Sequence, residues 1–413
     1  MNILLGLEIL LYLFVLIYKY YKYKYKTVIS ISSWFIICYL FYCIYPAFCL
    51  DSYIKKEGWE ITLPVMLECK SIVFILGLFF IILYSQLTFN IKIHLSGNER
   101  CLFLKKVFTF LLLIFLYFEL KALFDLLDVF RYYKKHLNYN LFRNNIELIR
   151  ANYHLGIINY LLCGIFFYKT YYKKYSKLVI IDLLLNSVFD VLAGTRTNFF
   201  TVALFIYLTI VFRKKKTYLK PIILCCIVIL FSSEIVRSID YGRFSNINDS
   251  ITSKLMLGYS EFNNTFITYP YIIQKGIHYN FNLFEYTSWA FGWIPPLIRI
   301  FNISSLGDYY RDLIGRNIGY ASNFLTNSVY LYGYFSLILI ILFFCYIIYI
   351  DKRMLTGDML VLRILMIIYI RHFIREGFIS FSILFYNFIF YFGIFIIFKR
   401  HNLKFKKLLN IKY

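Results

Sequence analysis

Residues Met1–Tyr18 read MNILLGLEILLYLFVLIY, and the solvent this run requires decides the fold. A helix needs about 20 mostly apolar residues to cross the hydrocarbon of a bilayer. No basic stretch precedes the run and no small-residue cleavage site follows it. It therefore reads as a retained first span and not as a removed signal peptide. Glu8 interrupts it. An ionisable group inside a span is a functional candidate by default. The competing reading has Glu8, like Glu119 and Lys121 further on, reaching the interface from near a span end.

The rest of the chain repeats this character. Its 413 residues are 61% hydrophobic and 16% charged, whereas soluble domains are nearer ~45–50% and ~25%. One water-soluble core could not hide that much apolar surface. The formal net charge of +23 would point to nucleic acid in a soluble protein. Here the positive charges fall between apolar runs, where they set topology, and no nucleic-acid motif is present. The nine cysteines lie mostly inside apolar runs, where Cys behaves as a small hydrophobe. They make no paired zinc spacing. The reading is no metal, no cofactor and no disulfide framework.

Hydropathy places spans at 2–18, 28–49, 65–86, 107–125, 153–170, 178–194, 198–212, 217–236, 326–350, 359–374 and 379–398. The expectation is a single all-α, polytopic membrane domain over 1–413 with about eleven transmembrane helices. Every other loop is rich in Lys and Arg, from Lys19, Lys22, Lys24 and Lys26 to Lys352 and Arg353. These loops should be cytoplasmic, with the N-terminus outside and the C-terminus inside. The longest opposite loop, 237–325, is too long for a connector. Its segments SITSKLMLGYSEFNNTFITYPYII and YTSWAFGWIPPLIRIF read as short interfacial helices.

The opposite loops carry arginine against the topology rule: Arg131, Arg143, Arg150, Arg196, Arg237, Arg243, Arg299, Arg311, Arg316, Arg371 and Arg375. A planar guanidinium donates two parallel hydrogen bonds and stays charged, so it suits phosphate. Several on one face suggest a polyanionic lipid head group. The plainer explanation is snorkelling to ordinary lipid phosphate. Arg196 resists that explanation. It lies in Gly194-Thr195-Arg196-Thr197, between two apolar runs, a turn able to aim backbone N–H groups at an anion.

With these residues in view, the chain resembles the Wzy-type oligosaccharide repeat-unit polymerases of O-antigen, capsule and enterobacterial common antigen. The segments AGTRTN, RSIDYGRFSN, GWIPPLIRIF, ASNFLTNSVYLYGYF and IRHFIREGFIS follow the order of that family's G-T-R, R-Y-G, I-P-S-W-L-W-P-G-R and A-R-E-G elements. The resemblance covers about residues 110–400 by order of elements. It implies a multi-pass enzyme of the bacterial inner membrane that joins undecaprenyl-diphosphate-linked repeat units on the outer face, without nucleotide sugar or metal. It implies membrane lipid and a chain-length regulator as partners. Arg196 matches the G-T-R arginine, and Arg375-Glu376-Gly377 matches R-E-G. Tyr241-Gly242-Arg243 inverts the R-Y-G order, leaving Arg237 and Arg243 as alternative counterparts. Pro295-Pro296 before Arg299 departs from the W-P-G-R form.

The chemistry that follows is electrostatic. Negative charge grows on the diphosphate as it leaves the anomeric carbon, and fixed guanidinium groups stabilise it. Arg196, Arg243 and Arg375 are the catalytic candidates, with Glu376 the first candidate base for the acceptor hydroxyl and Asp240, His372 and Glu261 the others. Arg237, Asp240, Arg299, Arg311, Arg316 and His372 are candidates for holding substrate. Glu376 has an equal claim as an ion-pair partner. Trp289 and Trp293 form a platform for sugar rings or a pair of interfacial anchors. Rival readings are a glycan ligase and a lipid-linked oligosaccharide flippase or other transporter. The second predicts pseudo-symmetric halves, and no internal repeat is visible.

Overall fold

The computed structural model describes residues 1–89, 93–94, 102–133, 145, 148–149, 181, 184–185, 188–189, 204, 207–208, 210–211, 216–217, 262–263, 265–276, 323–352, 355–356, 363, 366–367, 370–371 and 373–375. The elements in chain order are α1 (Asn2–Tyr23), α2 (Tyr25–Val28), α3 (Ile31–Tyr39), a π-helical turn (Leu40–Ile44) and α4 (Tyr45–Glu57). Then come α5 (Leu63–Gln86), β1 (Ile93–His94), α6 (Leu102–Tyr133) and α7 (Thr268–Lys275). The last are α8 (Phe324–Tyr332), a 3-10 turn (Gly333–Phe335), α9 (Ser336–Lys352) and β2 (Leu355–Thr356). The chain divides into two compact units. The first takes Met1–Lys92, Asp249–Met354 and Met366–Tyr386; the second takes Ile93–Asn248, Leu355–Leu365 and Asn387–Tyr413.

The first unit is a helical bundle suited to lipid. Among the described residues, four helical stretches are long and apolar enough to cross a membrane: Asn2–Tyr23, Ile31–Lys55, Leu63–Gln86 and Gly333–Lys352. The protein is a multi-pass membrane protein on this composition. Large side chains such as Ile3, Leu10, Phe14 and Leu342 stand exposed on the bundle surface, where lipid is the natural solvent. Hydrocarbon tails are as apolar as leucine, so contact between spans depends on close packing and interhelical hydrogen bonds.

Both kinds of contact are present. Phe35 and Tyr39 of α3 meet Phe80 of α5, Phe324 of α8 and Phe344 of α9, with ring centroids 4.7–6.5 Å apart. At one end of the bundle, Lys70 Nζ donates to Asp51 Oδ1 at 2.5 Å and to Asn2 Oδ1 at 2.8 Å. Asn2 Nδ2 donates to Asp51 Oδ2 at 2.8 Å. One residue from each of α1, α4 and α5 is thereby joined.

At the other end, Asp351 of α9 sits fully buried over the start of α3. Its carboxylate accepts from the backbone N–H of Ile31 and Ser32 at 3.1 and 2.8 Å, and from the hydroxyls of Ser30 and Ser32 at 2.7 and 2.6 Å. A helix start leaves its first N–H groups unpaired and carries partial positive charge, so a carboxylate fits there. Lys19 lies at the same end. Its ammonium donates to the carbonyl of Leu87, the C-cap of α5, and lies 5.5–5.8 Å from the rings of Tyr23, Tyr84 and Phe89. Lys26 reaches the Phe89 carbonyl at 3.3 Å. The basic loop residues thus also close the negative end of a helix.

Local sequence explains the joints. Gly58 at φ 64° ends α4 in the left-handed conformation that glycine adopts freely. Pro64 occupies the first turn of α5, where a missing N–H costs nothing. Pro46 follows the π turn within the continuous run from α3 to α4. It lacks the N–H that a regular helix would give to the Tyr42 carbonyl, and the hydrogen-bond register shifts around it.

In the second unit, α6 is 32 residues long, with Leu112, Ala122 and Leu126 buried and Phe110, Tyr117 and Phe124 exposed. The strands β1 and β2 pair in parallel, Ile93 with Leu355 and His94 with Thr356.

These observations correct the expected fold class. Among the described residues there are nine α-helices and four candidate spans, not eleven spans, and a short β-pair departs from an all-α chain. The runs 2–18, 28–49, 65–86 and 326–350 correspond to the four candidate spans, with shifted bounds. The apolar run 326–350 is broken at Gly333, whose φ of 63° ends α8 after nine residues, too few to cross a bilayer. The run 28–49 forms α3, the π turn and α4. The run 107–125 lies within α6. The runs 153–170 and 379–398 and all of 217–236 but Thr217 lie outside the described residues, and 178–194, 198–212 and 359–374 are described only at scattered helical positions.

Replacing Asp351 with Ala leaves two buried backbone N–H groups and two hydroxyls without their acceptor, and each buried orphan costs about 1–3 kcal/mol. The expected outcome is a clear fall in the thermal midpoint of the purified protein in detergent. Asp351→Asn, which keeps one acceptor oxygen, should fall less; equal losses would contradict the capping role.

Candidate functional site

The arginine-bearing segment near the end of the first unit supplies the site. Residues 370–371 and 373–375 are helical; Ile370, Phe373 and Ile374 are buried. Phe373 anchors the segment between Phe343 and Phe324, at centroid distances of 4.5 and 5.6 Å. Arg371 and Arg375 are four apart, so their side chains share one helix face.

Arg371 Nε donates to the Tyr42 hydroxyl at 3.1 Å. Tyr42 is 5% exposed and belongs to the π turn. Such turns carry one extra residue and re-aim the side chains around them, and they recur at functional sites. Phe262 packs edge-on against Tyr42 at 4.8 Å and stacks on Phe41 at 5.8 Å. The Tyr42 ring is therefore held by Phe262 while its hydroxyl receives the guanidinium.

Arg375 is half-buried, and its Nε is inaccessible to solvent with no hydrogen-bond partner among the described residues. Like charges at this spacing repel by a few tenths of a kcal/mol, ~0.2–0.5, and a buried donor without an acceptor costs more. An anion of the phosphate class would relieve both, because it accepts from guanidinium forks in parallel.

A second polar cluster lies between α7 and α8. Asn323, fully buried, caps α8: its Oδ1 accepts from Thr326 N at 2.8 Å and Thr326 Oγ1 at 2.9 Å. Thr268 Oγ1 lies 3.1 Å from Thr326 Oγ1 and donates to the Thr265 carbonyl at 3.1 Å. Asn323 Nδ2 is buried with no hydrogen-bond partner among the described residues. Outside this pair of helices, Gln274 of α7 donates to the Glu60 carbonyl and accepts from Thr62 N, tying α7 to the start of α5.

Of the residues singled out from sequence, Arg375 is described, on the face just given. Arg196, Arg243, Glu376, Arg237, Asp240, Arg299, Arg311, Arg316, His372, Trp289 and Trp293 lie outside the described residues. Tyr42 was not among the expected site residues. Its role depends on the register shift of the π turn, which Pro46 hints at and no spacing rule gives. The Arg371 contribution was signalled by its four-residue spacing from Arg375. Cys38, Cys43, Cys49, Cys69 and Cys345 are free thiols, and among the described residues no group of three His, Cys, Asp or Glu is placed to hold a metal ion.

If the arginine face receives a phosphate-class anion, Arg375→Met should raise the thermal midpoint of the ligand-free protein by removing a charged group with an unmet donor. Inorganic pyrophosphate should raise the midpoint of the wild type through preferential binding to the folded state and leave the variant unmoved. An equal shift in both would place the anion elsewhere. No family model matches the chain, and neither a curated protein nor a solved structure is similar to it.

Proposed function

We propose that the chain is a membrane glycosyltransferase that polymerises undecaprenyl-diphosphate-linked repeat units into a surface polysaccharide, on the outer face of a bacterial inner membrane. The observation that carries this reading is the Arg371–Arg375 face, with Tyr42 holding one guanidinium and the buried Nε of Arg375 open to an acceptor. A chemistry fits that face. The acceptor hydroxyl oxygen attacks the anomeric carbon of the donor glycan, and the bond from that carbon to the diphosphate oxygen breaks. The electron pair leaves with the lipid diphosphate, and the acceptor proton passes to Glu376 or to the departing diphosphate. Guanidinium groups oppose the charge gathering on the leaving oxygen, with greater effect where water is scarce. Arg196 and Arg243 belong to this reading by the sequence resemblance.

The orientation is part of the proposal. With Lys19, Lys22, Lys24, Lys26 and Lys352 on the cytoplasmic side, the N-terminus faces outward. A chain-length regulator is the expected protein partner.

The test is purified protein in lipid with synthetic lipid-linked repeat units, read as a mass ladder. The wild type should give products rising by whole repeat units. Arg375→Glu and Arg196→Glu should insert normally and lose at least about 10²-fold in chain growth, the usual scale for removing one oxyanion-stabilising donor. Normal long chains from both variants would overturn the assignment. A single transfer to a different lipid acceptor would identify a ligase, and movement without bond formation a flippase.

A further inference from the structure

The seam between α1 and α5 contains a carboxyl group that the proposed reaction does not use. Glu8 is 2% exposed, and both of its carboxyl oxygens are inaccessible with no hydrogen-bond partner among the described residues. It faces Gly77 of α5 so closely that a Cβ on that residue would fall 1.9 Å from Glu8 Oε1. Any side chain at position 77 would displace the carboxyl, so the glycine is what lets Glu8 lie there.

The neighbouring hydroxyls are engaged elsewhere. Tyr12, one turn along α1, donates to the Gly77 carbonyl at 2.9 Å. Tyr39 of α3 donates to the Val73 carbonyl at 2.9 Å, one turn away on α5. Tyr39 and Tyr12 lie within electrostatic reach of Glu8, with Cys43 of the π turn and Tyr269 of α7 in turn within reach of Tyr39. None of these is a cation. Three cations of α1, α2 and α5 are held at the bundle ends: Lys70 by Asp51 and Asn2, Lys19 by the Leu87 carbonyl, Lys26 by the Phe89 carbonyl. Eleven residues of helix put Lys19 about 16 Å from Glu8 along the axis.

A carboxylate sealed in that setting would lack both water and counter-charge, a far costlier state than the neutral acid. We propose that Glu8 is a proton-binding site in the membrane interior, and that the α1–α5 seam at Gly77 closes around the protonated carboxyl. The ligand is the proton itself. Loss of the proton would place a bare negative charge between two spans and drive α1 away from α5. The seam is therefore closed at neutral pH and loosens as pH rises. This inference does not rest on the polymerase reading, and its test requires no glycan substrate.

The full chain in lipid nanodiscs is treated with dicyclohexylcarbodiimide, an apolar reagent. A protonated carboxyl adds across its carbodiimide bond, the acid proton passing to nitrogen, and the adduct rearranges to a stable N-acylurea. The peptide containing residue 8 should carry the label at neutral pH, and labelling should fall as pH is raised. In parallel, Glu8→Gln should match or exceed the wild type in thermal midpoint at neutral pH, and its advantage should grow with pH while its own midpoint stays level. An unlabelled residue 8 at saturating reagent would overturn the proposal. So would a Glu8→Gln variant that inserts but melts well below a wild type insensitive to pH, the behaviour of an ionised, paired carboxylate. Should Glu8→Gln fail to insert, wild-type labelling decides the question.

Discussion

The carboxylate of Asp351 takes four hydrogen bonds from three consecutive residues at the start of α3. In lipid, backbone groups without partners are costly because no water can replace them. The first turn of a helix always has such groups. A buried helix start therefore needs an internal acceptor, and a negative one is favoured by the helix dipole. With α9 fixed to α3 in this way, Phe344 meets Phe35 and Phe80. The aromatic core at Phe35 and Tyr39 then sets where α5 and α8 lie. The π turn follows directly from α3, so the position of Tyr42, and with it the Arg371 contact, inherits the same anchor.

Two ways of handling buried charge coexist in this bundle. Asp351 and Lys19 are satisfied by backbone groups at helix ends, the places where a span offers partial charges of the required sign. Glu8 and Arg375 each retain buried polar atoms without partners among the described residues. Structural charges in membrane bundles tend to be neutralised locally, while groups kept for a ligand or a proton must stay available. The contrast separates the scaffold residues from the candidates for chemistry without any appeal to similarity.

What could be read from sequence follows the range of the interactions concerned. The run 65–86 is α5, Leu63–Gln86, because a continuous apolar stretch bounded by Pro64 and polar Gln86 needs only local rules. The use of Lys19 and Lys26 in closing the end of α5 was not legible, since Leu87 and Phe89 are more than sixty residues away. The run 326–350 looked like one span because hydropathy does not register a backbone torsion; Gly333 at φ 63° divides it. At the candidate site, Arg375 was visible through its R-E-G context. Tyr42 was not, because its approach to Arg371 joins positions 329 residues apart through a turn of irregular register.

The Asp351 clasp also has a meaning for biogenesis. Ser30 and Asp351 are separated by 321 positions. At about 5–20 residues per second, α3 leaves the ribosome on the order of tens of seconds before the carboxylate that will cap it exists. During that interval the nascent helix start has to lean on lipid head groups, interfacial water or the insertion machinery. The amino-terminal hairpin can enter the bilayer early, yet its final register is fixed only once Asp351 has been made. A truncated product lacking residue 351 would lodge in the membrane with the Ile31 and Ser32 amides deprived of that acceptor.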